Sequence, residues 1–265
     1  QDPEELERVK SLPIPPAWQD VWICTDPLGH LLATGRDAKG RKQYRYHPQW
    51  RKVRNRNKFD RLIPFGYARP HIRAVVERHL QSPQLSKQKI LAVVIHLLEA
   101  TLMRVGNEEY RQQNDSFGLT TLRDRHVELS GSQVRFQFVG KSGVEHEVTL
   151  RDRQLAQAVK RCQELPGQEL FQYVDEAGKV CSLDSADVNA YLQRITQADF
   201  TSKDFRTWAG TVCTAEVLNE LGPASSEQQV QSHLRTAMQE AANLLGNRLA
   251  TCRNYYVHPA IAEGY

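Results

Sequence analysis

Five polar side chains in this sequence fall in an order that suits one kind of chemistry. Arg104 closes an apolar stretch, Lys141 lies in Gly140-Lys-Ser-Gly143, Arg206 follows Lys203 by three residues, and Asn247 precedes Tyr256 by nine. Two guanidiniums can bind the non-bridging oxygens of a phosphodiester, where negative charge grows in the transition state. A lysine can protonate a leaving oxygen, a phenol can attack phosphorus, and an amide can donate one more hydrogen bond. The sequence has no Asp/Glu cluster of two-metal type, so cationic side chains would take the part that metals play in nucleases. A phenol with a pKa near ~10 attacks poorly at neutral pH and needs such neighbours. The pair Tyr255-Tyr256 offers two candidates.

These residues must be brought together by the chain. At about 100° per residue, a nine-residue interval puts Asn247 and Tyr256 on opposite faces of an unbroken helix. A break between Gly246 and Thr251 would instead fold both toward one point. Ala237, Ala241, Leu244 and Leu245 predict the helix that leads into that break. Apolar 3.6-residue spacing predicts helices over Ile72–Leu80 and Ser86–Met103, the second capped by Ser86 and stopped by Gly106. Arg104 sits against this apolar length and must find an anion, water, or a partner such as Glu108 or Glu109.

Alternation predicts three strands, Val127–Leu129, Val134–Val139 and Val144–Leu150, with Lys141 at the tip of the last hairpin. Helices follow over Arg153–Glu164 and Val188–Ile195, the latter capped by Asp184 or Ser185. Thr201 or Ser202 caps a further helix on which Lys203 and Arg206 share a face, with Phe205 and Trp208 turned to the core. Two cations at a helix start oppose the helix dipole, and a phosphate there would relieve the conflict.

The first sixty-odd residues read as β: a buried strand Val21–Thr25, a partner Leu31–Thr34, and a third strand Lys42–Tyr46 between turn signals. On the third strand Gln43 and Arg45 share one face, and Lys42, Tyr44 and Tyr46 the other. A domain boundary is placed at Pro64, giving domains 1–64 and 65–265. From Arg36 to Arg61 there are eleven basic residues against two acidic ones, interleaved with Tyr44, Tyr46, His47 and Trp50. The whole chain carries only +4, so this concentration is the footprint of a polyanion binder. Planar and amide side chains within it can reach base edges.

At 265 residues and 40% hydrophobic, the chain can build one large core or two modest ones. The longest apolar run, Ile90–Leu98, is too short for a bilayer span, and the acidic Gln1–Glu5 is not read as a signal peptide. The five cysteines are scattered and never at C-x-x-C spacing, which reads as reduced thiols of a cytosolic protein without structural zinc.

Taken together, Leu102-Met-Arg-Val-Gly-Asn107, Phe138-Val-Gly-Lys141, Lys203-Asp-Phe-Arg-Thr-Trp208, and Asn247 with Tyr256-Val-His-Pro259 resemble the type IB DNA topoisomerases. The likeness is to the short, poxvirus-like kind in its bacterial branch, and it covers nearly the whole chain. It implies an α+β fold: a small β-rich N-terminal domain and a larger, mainly helical catalytic domain with a three-stranded antiparallel sheet, together forming a DNA clamp. It implies catalytic roles for Tyr256, Arg104, Lys141, Arg206 and Asn247, and it selects Tyr256 over Tyr255 as nucleophile. Gln43, Tyr44 and Tyr46 correspond to the family's major-groove strand, and Lys203 is a further DNA contact. The implied partner is duplex DNA, met by a cytoplasmic, nucleoid-associated monomer without cofactor, metal or membrane contact. Most relatives carry histidine where this chain has Asn247.

The resemblance further implies the reaction. One strand is cut through a 3′-phosphotyrosyl bond, the free 5′-hydroxyl end swivels, and reverse attack reseals the strand without ATP. A tyrosine site-specific recombinase shares this chemistry, but usually carries H-x-x-R where this chain has Lys203-x-x-Arg206, behind a helical N-terminal domain. A DNA-binding protein with an inactive catalytic lobe is the third reading. Duplex affinity is expected to fall steeply with salt, by a slope of about −0.9 in log K per neutralised phosphate. Deleting residues 1–64 should flatten that slope. An affinity that hardly changes between about 50 and 200 mM salt would remove the polyanion-binding role of the basic segment.

Overall fold

The computed structural model describes residues 3–38 and 40–265, and only the backbone of Arg51, Arg54, Asn55 and Arg56. Lys39 and the side chains of Arg51, Arg54 and Arg56, all counted in the basic segment, therefore lie outside the described residues. The chain divides into two compact units, Gln1–Arg61 and Leu62–Tyr265.

The N-terminal unit runs α1 (Pro3–Ser11), β1 (Gln19–Ile23), β2 (Leu31–Arg36), β3 (Lys42–Tyr46) and α2 (Pro48–Asp60). Its strands form one antiparallel sheet in the order β1-β2-β3. Asp37 closes the β2–β3 turn by accepting from the Arg41 amide and side chain, while Gly40 takes a φ of 73°. Two expectations are corrected here. The unit is mixed, because α1 and α2 accompany the strands; α2 starts at an N-cap where His47 Nδ1 accepts from the Gln49 amide, with Pro48 in its first turn. Neither helix carries an apolar stripe that periodicity could detect. The strand expected to be buried is an exposed edge strand, with Val21 40% and Trp22 51% exposed. Its register with β2 shifts between Gln19 and Trp22, where Asp20 adopts a positive φ.

The larger unit opens with α3 (Leu62–Leu80) and α4 (Lys87–Thr101). Helix α3 starts ten residues before the predicted Ile72 and runs through Pro70, which leaves the Gly66 carbonyl without its usual helical donor. At Gly66 the Trp208 ring approaches so closely that a Cβ would lie 2.3 Å from it. Helix α4 is capped by Ser86 Oγ and is apolar nearly all round; Ile90–Ile95, Leu97 and Leu98 are buried, so it forms the centre of the core. After α5 (Glu108–Asn114) come β4 (Val127–Ser130), β5 (Gln133–Val139) and β6 (Glu145–Arg151), an antiparallel sheet in chain order. Val134, Phe136 and Phe138 turn its inner face to α4 and to α6 (Arg153–Gln163). A small hairpin, β7 (Gln172–Val174) and β8 (Val180–Ser182), precedes α7 (Ser185–Thr196).

The chain ends with α8 (Ser202–Leu221), α9 (Glu227–Leu245), α10 (Leu249–Tyr255) and α11 (Pro259–Gly264). The start of α8 belongs to the main core, where Phe205 meets Phe65 edge-on at 4.9 Å. Further along, Ala209 and Cys213 pack on a second cluster made by Met238, Ala241, Ala242, Leu245, Cys252 and Val257. Helix α8 thus joins two cores. No helix among the described residues is long and apolar enough to cross a membrane.

Three histidines of this unit, His79, His126 and His146, are held below the ordinary imidazole value of 6.5, in each case chiefly by burial. His126 Nδ1 accepts from the Arg123 amide at 3.0 Å, its ring meets Phe117 edge-on at 4.3 Å, and the Arg125 and Arg123 charges add to the shift. The unfolded chain takes up these protons near 6.5 while the folded chain resists them. Stability is therefore complete above about pH 6.5 and declines as pH falls toward the lowered folded values. The melting temperature should drop between about pH 7 and 5, and less steeply in His126→Asn, which keeps an acceptor for Arg123 but cannot titrate. Parallel melting curves for the two proteins would show that His126 does not contribute to acid sensitivity.

Candidate active site

Helix α4 ends at Leu102, whose left-handed φ of 56° throws the chain out of the helix. The following loop carries Arg104, and it is held on both sides by backbone. Leu119 N–H donates to Arg104 O at 2.9 Å and Thr120 N–H to Val105 O at 2.6 Å. Gly118 has to be glycine here, since a Cβ would lie 2.6 Å from Gly106 Cα and N and 2.7 Å from Arg104 O. Arg104 Nη2 donates to Asn247 Oδ1 at 2.5 Å, and its buried Nη1 has no hydrogen-bond partner among the described residues. The acidic partners considered for Arg104 are engaged elsewhere, because Glu108 pairs with Arg111 and Glu109 accepts from Gln113.

Lys203 and Arg206 line the same cleft, as their spacing of three predicts, but they differ in burial. Lys203 is exposed, whereas Arg206 is 4% exposed. Its Nη1 donates to Leu102 O and its Nη2 to Leu245 O, the latter at 2.6 Å. Both carbonyls lie at helix C-termini, α4 in one case and α9 in the other, where unpaired acceptors and the negative end of the dipole await a cation. Burial first and the Arg104 charge second push the guanidinium below its ordinary value, and the hydrogen-bonded Tyr256 phenol opposes them. Arg206 Nε remains buried without a partner among the described residues.

The predicted break between Asn247 and Tyr256 lies at Gly246–Arg248. Gly246 is the left-handed cap of α9 at φ 58°, and Asn247 N–H donates to Ala242 O at 2.9 Å. The capping position is thus filled by glycine, and the Asn247 side chain is free to meet Arg104. Facing a guanidinium, its oxygen must accept, so Nδ2 is the donor, and that atom has no partner among the described residues. Tyr256 terminates α10, with its carbonyl accepting from Thr211 Oγ1 and its ring 5.3 Å from the Arg206 guanidinium. Gly210 of α8 makes this approach possible, since a Cβ there would lie 2.8 Å from Tyr256 O. Tyr255 is 54% exposed and does not line the cleft.

Lys141 begins the turn that joins β5 to β6, where Gly140 N–H donates to Val144 O at 2.7 Å and Gly143 takes φ 74°. Its Nζ lies 5.2 Å from the centre of the Tyr110 ring. Arg104, Lys141, Lys203, Arg206 and Tyr256 all line one cleft of about 380 Å³, with Asn247 beside it through Arg104. Gln43, Tyr44 and Tyr46 belong to the N-terminal unit. There Gln43 donates to Asp37 at 2.9 Å, and the Tyr44 and Tyr46 rings stack at 6.1 Å. Among the described residues no three His, Cys, Asp or Glu side chains gather in a metal-binding group.

Sequence reasoning missed three residues around the cleft. Tyr110 and the buried, unpartnered Ser116 Oγ both line it. His146 stacks on Phe138 at 5.0 Å, and the Arg104 and Arg206 charges add to the burial that keeps it neutral. The signal for His146 is its place in the alternation with Val148 and Leu150 along β6, which turns inward. Tyr110 and Ser116 carry no comparable local signal.

Two family profiles match the chain: "Eukaryotic DNA topoisomerase I, catalytic core" over residues 47–262, and "Bacterial DNA topoisomerase IB, N-terminal domain" over residues 1–37. The chain is 32% identical to DNA topoisomerase 1B of Acanthamoeba polyphaga mimivirus over 99% of its own length and 80% of that protein's. It is also 32% identical to DNA topoisomerase 1B of Vaccinia virus (strain Copenhagen), over 54% of this chain and 46% of that one. A solved XerH site-specific recombinase bound to difH substrate aligns at 14% identity over 74% of this chain and 50% of that chain, with a TM-score of 0.41, too distant to bear on the choice. The chain belongs to the type IB DNA topoisomerase family.

Proposed function

We propose that the protein relaxes supercoiled duplex DNA by cutting one strand, letting the broken end swivel, and resealing it. The observation that carries this reading is the set of buried donors left unpaired at the cleft: Arg104 Nη1, Arg206 Nε and, beside them, Asn247 Nδ2. Each such donor costs about 1–3 kcal/mol in the free protein. The non-bridging oxygens of a scissile phosphate are acceptors of the right charge to recover that cost.

In this reading the Tyr256 phenol gives up its proton to solvent as its oxygen attacks phosphorus, the bond to the 5′ oxygen breaks, and a 3′-phosphotyrosyl bond forms. The Arg206 guanidinium, hydrogen-bonded to the phenol, orients it and then holds a phosphate oxygen. Arg104 and Asn247 hold the other oxygen, and Lys141 delivers a proton to the leaving 5′ oxygen. The phosphoester energy is kept in the covalent bond, so the 5′ hydroxyl can attack in reverse without ATP. Lys203, exposed at the cleft mouth, meets a neighbouring phosphate.

The basic segment from Arg36 to Arg61 and the strand bearing Gln43, Tyr44 and Tyr46 bind the duplex as the second arm of a clamp, with 1–64 as the DNA-binding domain and 65–265 as the catalytic one. The working form is a cytoplasmic, nucleoid-associated monomer without cofactor or metal. A plasmid-relaxation assay without magnesium or ATP tests the activity directly, and absence of relaxation in that buffer would sink it.

Tyr256→Phe should abolish relaxation and the covalent adduct while leaving duplex binding nearly intact, because only the phenolic oxygen makes the bond. Relaxation that survives Tyr256→Phe but not Tyr255→Phe would move the nucleophile by one residue. Asn247→Ala should slow cleavage and religation together, by about 10²-fold or less, since one oxyanion donor is lost and both directions share a transition state. Single-turnover cleavage at the wild-type rate would take Asn247 out of the site.

A further inference from the structure

The backbone around the cleft fixes the roots of Arg104 and Lys141 with respect to each other. The strand that leads to Lys141 receives a hydrogen bond from Phe117 N–H to Val139 O at 2.9 Å. Two and three residues on, Leu119 and Thr120 bind the carbonyls of Arg104 and Val105, and Gly118 packs against Gly106. One short segment thus stitches the hairpin to the Arg104 loop. This leaves the far end of Lys141 undetermined, because four methylenes on an exposed turn carry about 2 kcal/mol of rotamer entropy. Proton delivery to a leaving oxygen needs that end held within hydrogen-bond reach.

The group that meets it is Tyr110, whose ring centre is 5.2 Å from Lys141 Nζ. Tyr110 is itself positioned by the Arg104 loop. Asn107, one residue beyond Gly106, caps α5 by accepting the Tyr110 amide at 3.0 Å. The carboxylates of α5 do not compete for the lysine. Glu108 accepts from Arg111 and Gln112, and Glu109 from Gln113. A carboxylate partner would occupy the ammonium's N–H bonds and hold its proton. An aromatic face attracts the charge yet leaves the donors on its other side free.

We propose that Tyr110 is a positioning residue that holds the Lys141 ammonium in the cleft by a cation–π contact, so that its proton faces the leaving 5′ oxygen. This deepens the proposed function and rests on the role given there to Lys141.

The test is single-turnover cleavage of a suicide duplex by the full chain, with either oxygen or sulfur as the bridging 5′ atom of the scissile phosphate. A thiolate leaves with little need of a proton, so any defect that acts through protonation shrinks on the sulfur substrate. Tyr110→Leu should slow cleavage of the oxygen substrate about two- to fivefold, the equivalent of one exposed cation–π contact. It should be close to wild type on the sulfur substrate. Tyr110→Phe, which keeps the ring, should restore most of the rate, and Tyr110→Leu should add no defect to Lys141→Ala.

Equal defects of Tyr110→Leu on both substrates, or a Phe variant as slow as Leu, would overturn the proposal. The second result would assign the tyrosine hydroxyl to a contact of its own. Lys141→Ala run in parallel separates this failure from a failure of the underlying reading. If sulfur rescues Lys141→Ala but not Tyr110→Leu, only the role of Tyr110 falls. If sulfur rescues neither, the assignment of the leaving-group proton to Lys141 falls, and Tyr110 with it.

Discussion

The buried guanidinium of Arg206 is the interaction on which the catalytic unit depends. A cation taken out of water loses several kcal/mol of hydration, and attraction repays this only where acceptors are already in place. Here two acceptors are supplied by chain ends: Leu102 O at the end of α4 and Leu245 O at the end of α9. Those carbonyls have no helical donors of their own, so each side of the contact meets a need of the other. Because α4 belongs to the main core and the end of α9 to the second cluster, one side chain fastens two clusters that α8 also joins. A lysine could not take its place, since a single ammonium lacks the planar fork that reaches two carbonyls and a third acceptor at once. The same residue lines the cleft beside Tyr256.

The same contact sets where everything else must be. Leu102 O is held by Arg206, and two residues later the chain presents Arg104; Leu245 O is held by Arg206, and two residues later it presents Asn247. Arg104 and Asn247 then meet across 143 positions of sequence. Tyr256 is brought back over the guanidinium by α10, a helix of two turns whose tight seat against α8 depends on Gly210. What is left over is a cleft in which the donors outnumber the acceptors. In the proposed function, that imbalance is what the oxygens of a phosphate would meet.

How much of this was legible in the sequence varied with whether the signal was local. Helix α4, the three-stranded sheet and the hairpin bearing Lys141 announce themselves by apolar spacing and by glycines, and Ser86 and Asp184 are caps readable from residue type alone. Helices α1 and α2 have almost nothing to bury, Phe59 excepted, so no stripe marks them; Pro64 and Pro70 hid the true start of α3. β1 has the composition of a core strand and lies at an edge. In the site, residue types and order indicated the chemistry, but the arrangement could not be read. Spacing of three on a helix put Lys203 and Arg206 on one face, and both line the cleft, but the long-range acceptors that draw Arg206 inside could not be read. The roles of Tyr110 and His146 likewise depend on neighbours far along the chain, which no local pattern encodes.

The departure at Asn247 follows from its neighbour. The family resemblance leads to an expectation of histidine there. In this chain the side chain must accept from Arg104 Nη2 on one side and offer a donor on the other. An amide has both an acceptor and a donor group at every pH. An imidazole has both only when neutral and in one tautomer; protonated, it would turn an N–H toward a guanidinium. Arg206 nearby and the already neutral His146 make the addition of another positive charge costlier still. Asparagine gives up the chance of a cation at this position. In exchange it gives a hydrogen-bond pattern that does not change with pH and an Arg104 fixed in one orientation before any phosphate arrives.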